Sequence, residues 1–214
     1  MFAATAYIMK TAEFIEMLKF YGIPVFTAAE ASRIVDKGAK YTSLYLSRIA
    51  HSGKIARIEK GKYYITGSSS YAVASNITHP SYASMMSAFK YYGLTTQNIS
   101  SIDIVSVDRH SSMELMGYSI IFNKVPRGMM FGFRRVGEDG AFMAYPEKAL
   151  IDAMLFGGIP MPYIIEAFAN AREMRMLDTE RLSQYAARIG SKELDKKIKA
   201  LMQLSANSEA FAWQ

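Results

Sequence analysis

Apolar residues recur at three-to-four spacing in three short blocks before any strict alternation begins. In TAEFIEMLKFYG, from Thr11 to Gly22, Phe14, Leu18 and Tyr21 share one side of a helix, Glu13 sits in its first turn, and Gly22 with Pro24 ends it. In TAAEASRIV, Thr27 followed three residues later by Glu30 has capping-box spacing, and this second helix ends near Gly38. The third block, from about Tyr41 to Ser52, turns Thr42, Leu46 and Ile49 inward. On that phase Lys40, Leu44, Ser47 and Arg48 point outward, with Tyr41 and Ser43 on the flanks. Alternation then takes over in SGKIARIEKGKYYI, which predicts strands over 54–59 and 62–66 around a turn at Lys60 and Gly61. Ile55, Ile58 and Tyr64 are the residues expected to anchor this hairpin. Three short helices followed by a two-stranded wing form a winged helix-turn-helix.

The serine-rich run GSSS at 67–70 is read as a domain boundary, giving a DNA-binding domain over 1–67 and a second domain over 71–214. Beyond it YAVASNI is expected to be a strand, and SYASMMSAFKYYG a helix closed by Gly93. Strands are predicted over 101–107, 117–125, 129–136 and 141–145, separated by RHSSMEL, PRG and GEDG as turns. Pro146 suits a first helical position, and ALIDAMLF is apolar almost all round, which predicts a buried helix. Further helices are expected in MPYIIEAFANA, from Asp178 to Ile189, and from Ser191 onward. The predicted fold class is α+β or α/β in two domains: a winged helix-turn-helix, then a sheet backed by helices with a helical C-terminus.

With 214 residues, half of them hydrophobic, the chain can bury a full core. It contains no cysteine, which excludes disulfides, thiolate metal sites and a thiol nucleophile. No basic segment leads into an apolar stretch of signal-peptide length, and no long uncharged apolar run occurs, so a cytoplasmic location is expected. Charge changes the picture more. Residues 1–67 hold ten Lys or Arg against five acids, a net +5 that leaves only +1 for the rest of the chain. Seven of the eight charges from Lys37 to Lys62 are positive. That asymmetry favours an anionic partner for the first third.

The candidate chemistry follows from this division. In the first domain the third helix would enter the major groove of double-stranded DNA, braced by the helix before it, while the hairpin lies along a phosphate row. Candidate contacts are Thr27 on the bracing helix, Lys40, Tyr41, Ser43, Leu44, Ser47 and Arg48 on the groove helix, and Lys54, Arg57, Lys60 and Lys62 on the wing. In the second domain Asp103, Asp108, Glu147 and Asp152, with Lys148 and Arg134, are the acids and cations a metal-dependent nuclease would need. Their spacing is unsuited to it: Glu147 fits a helix N-terminus, and Lys148 with Asp152 makes an i, i+4 pair. His51, His79 and His110 share no metal-ligand spacing, and no glycine-rich phosphate loop is present. No cofactor, metal or catalytic residue is therefore expected. The methionines read chiefly as core filler.

GIPVFTAAEAS, YLSRIAHSGKIARIEKGKYYI, YAVASNITHPSYAS, KYYGLTTQ, FGFRR and AYPEKALIDAMLF occur in this order over roughly residues 10–157. Together they resemble the AbiEi-type antitoxin family of phage-defence regulators. The resemblance implies a winged helix-turn-helix that binds inverted repeats in its own promoter and represses the operon. It also implies a second domain that takes part in neutralising a nucleotidyltransferase-like toxin encoded nearby, with or without a stable complex. The groove helix then falls on Lys40 to Arg48 and the wing on Lys54, Arg57, Lys60 and Lys62, and no catalytic motif carries over. The spacer DKGAK is more basic than the family pattern, which suits backbone contacts at positions 37–40. Two other readings remain open on the residues alone: a DNA-targeted enzyme with a nuclease-like second domain, and a transcription factor with a ligand-sensing domain.

Overall fold

The computed structural model describes residues 9–211, with side chains through Gln203. Among these residues the protein is a mixed fold of nine α-helices and nine strands. It divides into two compact units, one comprising residues up to Ile77 with Val136–Ala141, the other Thr78–Arg135 with the chain from Phe142 onward.

The first unit is built from α1 (Thr11–Phe20), β1 (Val25–Thr27), α2 (Ala28–Val35), α3 (Ala39–His51), β2 (Ile55–Glu59), β3 (Lys62–Ile65) and α4 (Ser70–Ala74). The capping box of α2 forms as its spacing predicts: the Thr27 hydroxyl accepts from the Glu30 amide, and the Glu30 carboxylate accepts from the Thr27 amide. A strand not legible in the sequence, β1, pairs antiparallel with β3, so the sheet has three strands in the order β1-β3-β2. Its three residues are too few to register as an alternation. Phe14, Leu18, Phe26, Leu46, Ile49, Ile55 and Ile65 pack into one core. Phe14 meets Phe26 edge-on at 5.5 Å, and Tyr63 stacks on Phe26 at 6.0 Å.

The hairpin anchor differs from expectation. Tyr63, rather than Tyr64, packs on the core, because β3 starts at Lys62 and the pleat puts Tyr63 with Ile65 on one face. Ile58 is only half-buried; the register shifts by one residue between Arg57 and Glu59 and interrupts the alternation.

The boundary expected at 67–70 falls inside this unit. Ser69 caps α4 by accepting from the Ala72 amide, so YAVASNI is largely helix rather than strand. The GEDG turn folds back onto it: the Ser69 amide donates to the Asp139 carboxylate at 2.9 Å, and the Asn76 side chain donates to the Gly140 carbonyl at 3.0 Å. Serines that look like a linker are thus a helix cap with a distant partner.

The second unit contains β4 (Ser81–Ala83), α5 (Met85–Tyr91), β5 (Ser101–Ser106), β6 (Met113–Leu115), β7 (Tyr118–Lys124), β8 (Phe133–Val136), β9 (Ala141–Ala144), α6 (Pro146–Phe156), α7 (Met161–Glu173), α8 (Thr179–Ile189) and α9 (Lys192–Phe211). Its mixed six-stranded sheet runs β6-β7-β5-β4-β9-β8, with β5 parallel to β7 and β4 parallel to β9. Three local expectations change. Ser81–Ala83 is a strand buried on both faces, so it lacks the alternation that marks a half-buried one. RHSSMEL contains β6, paired back onto β7. The 129–136 strand begins only at Phe133, because a 3₁₀ turn occupies Arg127–Met129 and Gly132 adopts a φ of 71°. A Cβ at Gly132 would stand 2.8 Å from the Tyr185 ring and 3.0 Å from Lys148 Cβ, so only glycine fits. Pro146 starts α6 as predicted, and every residue from Pro146 to Met154 is buried. Among the described residues no helix is long and apolar enough to cross a membrane.

Candidate nucleic-acid interface

Helix α3 owes its orientation to Thr42, Leu46 and Ile49, which are buried at one-turn intervals and fix the phase. The opposite side therefore carries Lys40, Tyr41, Ser43, Leu44, Ser47 and Arg48 into solvent. Leu44, whose place depends most finely on this phase, is 54% exposed. Lys40 and Arg48 have no side-chain ion pair or hydrogen bond among the described residues, and neither do the Ser43 and Ser47 hydroxyls. Tyr41 stacks on Tyr45 at 6.2 Å, which holds its ring against the helix. The first turn of α3 contains no acid, and Gly38 at its N-cap supplies no side-chain bond. Free backbone amides, a helix dipole and Lys40 thus converge there, the requirements of an oxyanion site.

The β2–β3 hairpin presents fewer free cations than its four-charge count promises. Lys54, Arg57 and Lys60 are exposed. Arg57 lies opposite Tyr63, on the pleat face of Ile55 and Ile65 but beyond the core, and its Nε donates to the Glu59 carbonyl at 3.1 Å. Lys62 is turned back on the protein: its ammonium is 2.7 Å from the Glu59 carboxylate and donates to the Ile77 carbonyl at 2.8 Å. Thr27 is occupied as well, its hydroxyl donating to the Glu30 carboxylate at 2.8 Å while accepting from the Glu30 amide. Thr27 and Lys62, both expected as contacts, are structural in this arrangement.

The acids of the second unit are distributed differently. Glu147, Lys148 and Asp152 are all fully buried. Lys148 donates to Asp152 one turn along α6, and its ammonium also lies over the rings of Tyr82 and Phe131 at 5.5 and 5.2 Å. Asp152 further accepts from the Ser84 hydroxyl at 2.7 Å and the Tyr82 hydroxyl at 3.2 Å. Burial pushes its carboxyl up, against the pull of Lys148 and the two hydroxyls. Glu147 accepts from the Asp178 amide at 2.7 Å, with Arg181 3.7 Å from its other oxygen. Asp108 and Arg134 are exposed, and Arg134 lies over the Tyr145 ring at 5.4 Å. Among the described residues no three His, Asp or Glu side chains come together as a metal site.

The i, i+4 pairing of Lys148 with Asp152 was legible from spacing, whereas Tyr82 and Ser84, which complete the network, lie some seventy residues away and gave no signal. No family model matches the chain, and no curated protein matches it.

Proposed function

We propose that this protein is a sequence-specific DNA-binding antitoxin and autorepressor whose first unit acts as a winged helix-turn-helix on promoter inverted repeats. The observation that carries this reading is the outward stripe of α3, where cations, hydroxyls and one leucine stand unpartnered above a rigid core. Arg48 supplies a planar fork of donors suited to guanine, Ser43 and Ser47 suit either base edge, and Leu44 suits a thymine methyl. Lys37, Lys40 and the first-turn amides of α3 take one phosphate, and Lys54, Arg57 and Lys60 take a neighbouring row. Toxin neutralisation rests on the resemblance of YPEKALID and its companion stretches to AbiEi-type antitoxins, and it assigns that role to the second unit. A nuclease reading is disfavoured because Glu147, Lys148 and Asp152 have no exposed atoms with which to meet a substrate.

The test is fluorescence anisotropy of the full chain on its own promoter and on unrelated duplex. Arg48→Ala should weaken promoter binding by about 1–3 kcal/mol and relax preference at one base pair. Equal affinity of the unaltered chain for both duplexes overturns the repressor reading. Failure to restore growth when co-expressed with an adjacent nucleotidyltransferase-like toxin overturns the antitoxin reading.

A further inference from the structure

The second unit holds a cleft of about 480 Å³ on one face of its sheet. Its floor is Ser101 and Asp103 of β5 with Ile121 and Asn123 of β7. The parallel register opposes Asp103 to Ile121, so these alternate residues share a face. Met85 and Phe156 form part of its walls. Met85 holds a φ of 53°, a left-handed conformation that costs energy for a side chain of this size.

Two polar groups in the cleft lack partners. The backbone of Asp103 is satisfied, its amide donating to the Ser87 hydroxyl and its carbonyl accepting from the Ser84 amide. Its carboxylate has no ion-pair or hydrogen-bond partner among the described residues, and no Lys or Arg lines the cleft. The Asn123 amide nitrogen is buried without an acceptor. A carboxylate partly desolvated in this way, with no cation beside it, costs stability that a cationic ligand can recover. The volume falls in the range of small-molecule sites.

We infer that this cleft binds a small organic cation, an amine or guanidine carried on an aliphatic segment. The cationic group donates to the Asp103 carboxylate, and the aliphatic segment rests against Met85 and Phe156. Basic amino acids and their amides have this chemistry, as do Arg and Lys side chains carried on a peptide. Burial pushes the Asp103 carboxyl up to about 6, and Tyr163 is the only other titratable side chain lining the cleft. Binding therefore weakens as pH falls below that value and Asp103 takes up a proton.

Calorimetric titration of the full chain with arginine, agmatine, lysine and putrescine tests this, with citrulline as the analogue of arginine that keeps the α-ammonium and α-carboxylate but has a neutral side chain. Short blocked peptides containing Arg or Lys distinguish a chain-borne source from a free compound. Saturable binding is expected for at least one cation and markedly weaker binding for citrulline, whose only cationic group is flanked by its own carboxylate. Asp103→Asn should lower that affinity by about tenfold or more. Ile121→Trp, which fills the floor from a surface-accessible position, should abolish it while the thermal transition is retained. The inference is overturned if none of the cations binds at millimolar concentration, if citrulline binds as well as arginine, or if Asp103→Asn leaves affinity unchanged.

Discussion

The two units treat charge in opposite ways. In the first, the apolar phase of α3 and the short hairpin push Lys40, Arg48, Lys54, Arg57 and Lys60 into water, with Arg57 donating once to the Glu59 carbonyl. In the second, α6 carries Glu147, Lys148 and Asp152 into the interior with no exposed surface. A solvated cation costs little to hold and is available to an anionic partner. A buried one must be paired and hydrogen-bonded by the fold itself, so its energy is committed to the architecture. Charges that look alike in composition are therefore held in solvent on α3 and its hairpin and built into the packing on α6.

The sharpest way to break this contrast is to remove one member of the buried pair. Lys148→Met leaves Asp152 in the interior with only the Tyr82 and Ser84 hydroxyls. Urea denaturation should show a loss of about 3–5 kcal/mol, the usual cost of stripping one partner from a buried ion pair. Adding Asp152→Leu should return a large part of it, since an apolar pair no longer demands charge compensation. A loss below about 1 kcal/mol for the single substitution would mean that Asp152 is held neutral and that Lys148 contributes little beyond its packing.

A smaller effect of opposite sign is expected at Asp103. Its carboxyl, ordinarily near 3.8, stands at about 6 in the folded chain because burial disfavours the charged form. The native state thus holds that proton more tightly than the unfolded chain. The penalty is full above pH 6, shrinks as pH falls through that value, and is absent below the unfolded pKa. Asp103→Asn should stabilise the protein by about 1–2 kcal/mol at neutral pH, the shift being discounted because the side chain is partly open to solvent. The gain should vanish near pH 4, and a gain independent of pH would remove burial as its cause.

What the sequence made legible was local. The Thr27–Glu30 capping box, the inward phase of Thr42, Leu46 and Ile49, and the Lys148–Asp152 pair all depend on spacings of three or four residues along one helix, which a single sequence displays directly. What it hid was non-local. Whether the Lys148–Asp152 pair is solvated or buried depends on Tyr82 of β4 and Ser84 just after it, which come from a distant part of the chain. Ser69 and Ser70 read as linker because Asp139, which fastens Ser69, lies seventy residues downstream. Lys62 counted as a free cation because its carbonyl partner belongs to Ile77, beyond the expected domain boundary. The cleft over Asp103 and Asn123 needs the parallel register of β5 and β7, which no alternation encodes.

The finest distinction between the two treatments of charge falls within the β2–β3 hairpin, proposed above as a wing. Lys54, Arg57 and Lys60 are exposed, whereas the Lys62 ammonium is already shared between a carboxylate and a carbonyl. If the wing lies on DNA phosphates, each free cation releases counterions, and replacing it with Gln should reduce the slope of log affinity against log salt by about 0.9. Lys62→Gln should leave that slope unchanged, because a group held by Glu59 and Ile77 gives no ammonium to the phosphates. A slope change at Lys62 equal to that at Lys60 would mean that the ammonium leaves its intramolecular partners on binding. The boundary between recognition charge and structural charge would then shift with the ligand rather than being set by the fold.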